Sequence, residues 1–448
     1  MNRPAALRDL FSTRARLQRY LDVEAALALA EEELGVIPAG AGTRIAETAK
    51  IDRLDVDRIT AEQATTGHLM VPIVGELARK VGEPAGGWVH WGATTQNIEQ
   101  TGDVVGLRDV LGIFEAQLCD LLEALANLAE RGADMLMAGR THWQHAVPIT
   151  FGFKVAGWAD VMTRHLERLD QLRPRLLVSM TGGAVGNFAS LGAIGPDVQA
   201  GVARRLGLRP MDVPMRNIAD PFAELVLLLA LIGASAGQIA DEVSRLMGTD
   251  FGEVAEDLPE GDVGSSTMPQ KRNAKQAAQV VIKSAEIRGL APVALEAMIQ
   301  SHEVDGPRFA IMDETVERSS ILAGEMLEAL LSVVSGLKLF PERMRTNLDT
   351  SGGLISAEAV MLSLGKTIGR QEAHEVVHHA AKSIATGETS KGFAELLAED
   401  PHVSAHLSPD QIRVLLDPAQ HTGLSSQIAR AAAMRARAAA RQHRTASR

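Results

Sequence analysis

The chain has 448 residues and a formal net charge of −11, with 46% hydrophobic and 23% charged residues. That length allows two or three domains around a large core, and the acidic balance argues against nucleic acid as a main partner. Aromatics make up 3%, with one Tyr and one Cys, which disfavours a β-rich architecture and excludes an internal disulfide framework. No Cys/His cluster has zinc spacing, so neither a metal nor a cofactor is expected.

The first residues lack the apolar core of a signal peptide and begin in polar helical sequence. Residues 14–35 carry helical periodicity that stops at Gly35 and Pro38. Shorter helical pieces follow to about residue 85. Gly82, Pro84, Gly86 and Gly87 then break the pattern, and Trp88 to Asn97 is expected to be a loop before a helix capped near Thr101. Leu107, Leu111, Phe114, Leu118, Leu121, Leu125 and Leu128 alternate spacings of four and three, the stripe of a bundle seam. Similar long patterns over 148–174, 219–248, 274–300 and 312–338 predict an antiparallel bundle of long helices.

Within 219–248, the uncharged run Leu225 to Ala240 is short for a bilayer span and predicts a buried core helix. No membrane partner is expected, and a cytoplasmic location is the plain expectation. Residues 280–300 carry apolar side chains on several faces, among them Val280, Ile287, Leu290 and Ile299. Such a helix has neighbours on several sides, which points to oligomerisation through the bundle. The polar, Gly-containing stretch Thr346 to Gly353 marks a second boundary. The domain division is therefore 1–104, 105–350 and 351–448, and the basic tail from Arg430 to Arg448 is expected to be a frayed, solvated end.

Residues Gly264-Ser265-Ser266-Thr267-Met268-Pro269-Gln270-Lys271-Arg272-Asn273 have no period and read as a loop. They combine a nucleophile or base, a cation and an amide, which suits a carboxylate. This segment resembles the GSSxMPxKxN signature of the fumarase/aspartase superfamily, in the branch of adenylosuccinate lyase and carboxymuconate cycloisomerase. The resemblance implies an all-α, three-domain fold whose long helices form a twenty-helix core in a homotetramer. It also implies active sites that each form where three subunits meet, and cleavage of a C–N or C–O bond beta to a carboxylate with release of fumarate.

Other segments extend the resemblance from about residue 14 to about residue 385. Gly92-Ala93-Thr94-Thr95-Gln96-Asn97 looks like the branch's GATSQD segment, which makes Thr94, Thr95 and Gln96 substrate-binding candidates. Asn97 stands where the branch has Asp and removes a negative charge. Read without the family, the same residues are an ordinary Ser/Thr-type loop before a helix. Gly139-Arg140-Thr141-His142-Trp143-Gln144-His145-Ala146-Val147-Pro148 resembles GRTHxQxAxP and reads as a polar segment opening an apolar helix. It implies a catalytic role for His142 and a substrate contact for Thr141. Cycloisomerases of the branch carry Trp at the position of His142, so His142 leans toward a lyase. His145 either orients His142 or only packs.

Thr66-Gly67-His68 resembles the second-histidine position of adenylosuccinate lyases, with His68 either a proton donor or a helix-terminal residue without a role. His302-Glu303-Val304-Asp305, Asn347-Leu348-Asp349 and Gly369-Arg370-Gln371-Glu372-Ala373-His374 match later landmarks. Departures matter equally. Met215-Arg216-Asn217 lacks the branch's QRD pattern, and Ala274 replaces the usual proline. Ser351-Gly352-Gly353 replaces an arginine-bearing segment, with no arginine between Arg345 and Arg370. Losing that bidentate cation argues against a purine nucleotide phosphate.

The chemistry explains the residue types. Removing a Cβ proton from a succinate requires the neighbouring carboxylate to take a second negative charge, and fixed donors must meet it. By resemblance Ser265 is the base, and Ser266, Met268, Lys271 and Asn273 contact the substrate. Gly261 and Gly264 allow that loop to hinge over the site. His142 or His68 supplies the leaving group's proton. The expected activity is β-elimination from a small dicarboxylate, with nitrogen favoured as the leaving atom. The alternatives are a carboxymuconate-type cycloisomerase or an epimerase of an N-substituted aspartate such as iminodisuccinate. A non-enzymatic structural protein is the third reading, which Ser265, Lys271, Asn273 and His142 oppose.

Overall fold

The computed structural model describes residues 3–257, 261 and 267–446. Among them the fold is all-α, with helices joined by three small two-stranded sheets. The long helices are Thr13–Glu33, Thr95–Arg131, Phe151–Leu176, Asp220–Met247, Lys275–Ala297 and Gly306–Ser335. Their spans follow the periodicity of the sequence to within a few residues at most ends. The first is capped by Ser12, whose side chain accepts from Ala15 N, and it stops at the Gly35 turn.

The seam residues Leu107, Leu111, Phe114, Leu118, Leu121, Leu125 and Leu128 are each at most 2% exposed. Burying one such side chain contributes about 1.5–3 kcal/mol, so this stripe alone commits the helix Thr95–Arg131 to its neighbours. Asp220–Met247 is long and apolar enough to cross a membrane, yet Leu225, Val226, Leu229, Ile232 and Ile239 are at most 1% exposed. It packs as the core helix expected.

The chain forms two compact units. One comprises residues 1–117, 165–234 and 282–328, and the other residues 118–164, 235–281 and 329–448. Five of the long helices divide their length between them. The first unit also packs Leu21, Leu27, Ile45, Ile59, Ile73 and Leu77 into its own core. The second contains a separate cluster in its C-terminal helices, centred on Val360, Leu364, Phe393, Leu397 and Ile412.

Two expectations are corrected. The segment around His142 does not open a helix. It is a β-hairpin, with β1 Leu136–Thr141 antiparallel to β2 Gln144–Thr150, and the helix begins only at Phe151. Over its described residues, to Ala446, the basic tail is not frayed. It forms the helix Ser425–Ala446, with Ala429, Ala432, Ala433, Ala436 and Ala440 at most 3% exposed. Arg430, Arg437 and Arg444 recur every seven residues and pair with Asp134, Glu130 and Asp120 on residues 118–134 of the second unit. Alanine is the best helix former and lets two backbones approach closely, so a weakly hydrophobic seam is still a packed one.

Candidate active site

Elements bring the candidate residues into place within each unit. In the second unit the chain leaves the helix at Arg131 and re-enters one at Phe151, with the hairpin between. Gly152 N donates to Gly132 O at 2.7 Å and Phe151 N to Met135 O at 2.8 Å, closing the hairpin stem. A Cβ on Gly152 would lie 2.4 Å from Ala129 O, so only glycine allows this crossing. The register shifts between Ala138 and Arg140, where Ala146 and Val147 of β2 bulge opposite the single Gly139, and a Cβ on Gly139 would meet Val147 O at 2.6 Å.

The two-residue turn of this hairpin is His142-Trp143. Both have positive φ, 49° and 68°. A type I′ hairpin turn requires positive φ at both central residues and favours Asn-Gly. Placing two bulky L-residues there stores roughly 1–3 kcal/mol each. Strain of this kind persists where the side chains themselves are needed. His142 is exposed rather than packed, and Trp143 is 75% exposed with the Arg245 guanidinium 4.6 Å above its ring. Beside the turn lies a cavity of about 330 Å³ lined by His142, Trp143, Lys154, Glu242, Arg245 and Phe251. Lys154 Nζ is 2.6 Å from Glu242.

The hairpin is held from below by Arg140. Its two terminal nitrogens donate to Glu253 at 3.1 and 2.5 Å, and its guanidinium lies 4.8 Å over the Phe251 ring. Asn347 Nδ2 donates to Glu253 at 2.8 Å and to Phe251 O at 2.7 Å. This gives the Asn347-Leu348-Asp349 landmark a structural part. His145 faces Arg140 across the ladder. Burial first, then Arg140, pull its pKa below the usual histidine value, with Glu253 opposing. Both causes favour the neutral ring beside the turn.

Ser265 and Ser266 lie outside the described residues, as does Gly264. Met268, Lys271 and Asn273 belong to the second unit and are exposed, with Lys271 N donating to Met268 O at 3.0 Å. Gly261 has φ of 87°, which suits its expected freedom. The next helix starts at Lys275, directly after Ala274.

In the first unit, Thr95, Gln96 and Asn97 form the first turn of the helix Thr95–Arg131 rather than a loop, so the helix starts earlier than the Thr101 cap expected. Asn97 is fully buried, and its Oδ1 accepts from Thr94 N at 3.2 Å and Gly183 N at 3.0 Å. An amide oxygen suffices for that task. Gln96 meets Arg216 with both ends of its amide. Nε2 donates to Arg216 O and Oε1 accepts from Arg216 Nε, each at 2.9 Å. Asn217 Nδ2 donates to His302 O at 2.5 Å, and His302 also has positive φ, 53°. Met215-Arg216-Asn217, which departs from the family pattern, therefore braces both Gln96 and the 302 turn. Thr94 and Thr95 remain half-buried.

His68 is exposed just before the helix Met70–Val81, and its Nδ1 accepts from Val71 N at 3.3 Å. A neutral ring in that arrangement carries its proton on Nε2. In the second unit a cavity of about 480 Å³ adjoins Gly352 and Gly353 and is lined by Arg345, Asp349, Arg413 and Asp417. Sequence spacing missed Arg413. Both arginines already have carboxylates, Asp349 and Asp410, so the cavity offers a phosphate no surplus positive charge.

Sequence reasoning assigned no role to Arg140, Arg216, Glu253 or Asn347. Arg140 stood inside a matched motif, but nothing in the spacing tells which carboxylate 113 residues later it meets.

A Lyase family profile matches residues 2–289, and one for the adenylosuccinate lyase C-terminus matches residues 353–432. The chain is 39% identical to 3-carboxy-cis,cis-muconate cycloisomerase of Pseudomonas aeruginosa, over 94% of this chain and 92% of that protein. It is 36% identical to N-acetyl-S-(2-succino)cysteine lyase of Dickeya dadantii, over the same shares. Among solved structures, a fumarate lyase from Mesorhizobium sp. BNC1 superposes with a TM-score of 0.89 at 35% identity, covering 96% of this chain and 97% of that one. The 3-carboxy-cis,cis-muconate lactonizing enzyme of Pseudomonas putida gives 0.87 at 36% identity, with 98% and 97% covered.

Proposed function

The chain belongs to the fumarate lyase superfamily, and from that premise we propose that it eliminates a heteroatom leaving group from a substituted succinate to give fumarate. The observation that carries this reading is His142, exposed at the strained tip of a hairpin that the Arg140–Glu253 ion pair holds.

In the proposed reaction Ser265 takes the Cβ proton. The electron pair moves first into the adjacent carboxylate, where Lys271 and Asn273 meet the doubled charge. It then returns to form the C=C bond as the Cα–heteroatom bond breaks. The leaving atom takes a proton from His142 or His68, so fumarate and the protonated leaving group are the products. Thr94, Thr95, Gln96, Thr141, Ser266 and Met268 complete the proposed substrate contacts. The resemblance adds to this reading a homotetramer with active sites shared among subunits.

Nitrogen is the leaving atom favoured by the resemblance, and the succinocysteine relative adds sulfur to the set. The second reading, cycloisomerisation or epimerisation, is supported by the 39% identity to the Pseudomonas aeruginosa cycloisomerase. His142 weighs against its ring-closing form. Incubation with N-substituted aspartates, N-acetyl-S-(2-succino)cysteine and 3-carboxy-cis,cis-muconate separates the readings. Fumarate appearing in the ultraviolet from either of the first two supports elimination. Consumption of the muconate without fumarate from any substituted succinate supports the alternative.

A further inference from the structure

We propose that Glu256 is a positioning residue whose buried carboxylate ties together the two ends of the segment bearing Met268, Lys271 and Asn273. Through Glu253, three residues earlier, the same short stretch also holds the His142 turn. This rests on the reading of the site given above.

Glu256 is 4% exposed. Its two oxygens accept from Ala277 N at 2.6 Å and from Gln276 N at 3.1 Å. These donors belong to the first turn of the helix Lys275–Ala297, which has no acidic residue of its own there. Helix N-termini leave backbone N–H groups without intrahelical partners and carry partial positive charge. The helix thus takes its anion from a residue 20 positions upstream.

The other side of the clasp is fixed. Val254–Ala255 pairs antiparallel with Lys338–Leu339, Glu253 N donates to Leu246 O at 2.9 Å, and Phe340 N donates to Glu253 O at 3.0 Å. Within four residues, then, one carboxylate grips the hairpin through Arg140 and another grips the start of the helix that follows Asn273. A geometric error in either grip changes how the histidine turn and the lysine–asparagine pair present themselves to one substrate. Asp257 is the internal control, because it is exposed and pairs with Lys338 at 2.6 Å instead.

The test uses the full-length oligomeric protein with fumarate as the probe. Amide hydrogen exchange and calorimetric titration are compared for wild type, Glu256→Ala, Glu256→Asp and Asp257→Ala. Glu256→Ala should exchange the 276 and 277 amides at least tenfold faster, leave the middle of that helix at wild-type protection, and bind fumarate about tenfold more weakly. Glu256→Asp keeps the charge but loses the reach, and should behave like Glu256→Ala. Asp257→Ala should match wild type in both readouts. Should Glu256→Ala fail to fold, Glu256→Gln replaces it and should show a smaller change of the same sign. Wild-type protection at 276 and 277, or lost protection with wild-type fumarate affinity, overturns the proposal. Failure of the wild type itself to bind fumarate overturns the functional reading on which the proposal rests, whereas either of the former results with a fumarate-binding wild type overturns the positioning role alone.

Discussion

Arg140 and Glu253 form a two-point ion pair in which the carboxylate is fully buried and the guanidinium is 15% exposed. Removing one partner of such a pair strands a buried charge and costs about 3–5 kcal/mol. Arg140→Ala should therefore lower the unfolding free energy by roughly that amount, read as a shifted midpoint in urea. Arg140→Lys keeps the charge but loses the fork and should fall between.

The His142 turn should show a trade of stability for activity. Glycine adopts its φ of 49° without steric cost. His142→Gly is expected to stabilise the protein by about 1 kcal/mol, seen as a higher melting temperature. The same variant should lose fumarate formation. A melting temperature below wild type would show that the turn is relaxed rather than strained.

The C-terminal helix should behave as a packed element. Ala433 is fully buried in its seam, and a larger side chain there overpacks the contact. Ala433→Leu should destabilise by about 1–3 kcal/mol. Arg437→Ala should cost less, about 1 kcal/mol or below, because its pairing with Glu130 is partly exposed. Thermal unfolding of the two variants side by side measures the order.

A pH signature is expected in the first unit. Glu31 is fully buried, and neither of its oxygens has a hydrogen-bond partner among the described residues. Burial first, then the nearby Glu24, push it from 4.5 up to about 8. A carboxyl raised in the folded state binds its proton more tightly there than when unfolded. Stability from this group is therefore full below about pH 4.5 and lost as pH rises through about 8. Relative to Glu31→Gln, wild type should lose a few kcal/mol across that window. Melting curves of both proteins at several pH values check the sign.

Much of this was legible in the sequence. The long helices follow from residues such as Leu107 to Leu128, whose spacing leaves no other way to bury seven large side chains. The hairpin was not legible, because β1 and β2 owe their form to Gly139 and Gly152, whose value lies in close backbone contacts that spacing does not encode. The tail was misread because Ala429 to Ala440 looks polar beside its arginines. Its seam depends on shape rather than hydrophobicity. For the candidate site the motifs singled out His142, Thr141, Lys271 and Asn273 as candidates. The groups that hold the His142 hairpin, Arg140, Glu253 and Asn347, act through pairings between distant segments and could only be found in three dimensions.

The most direct test of the proposed chemistry is ultraviolet detection of fumarate when purified protein meets a panel of N- and S-substituted succinates. Wild type should release fumarate from at least one, and Ser265→Ala and His142→Ala should each reduce that rate at least a hundredfold with the helical fold intact. No fumarate from any member of the panel, or wild-type rates in both variants, would contradict the account.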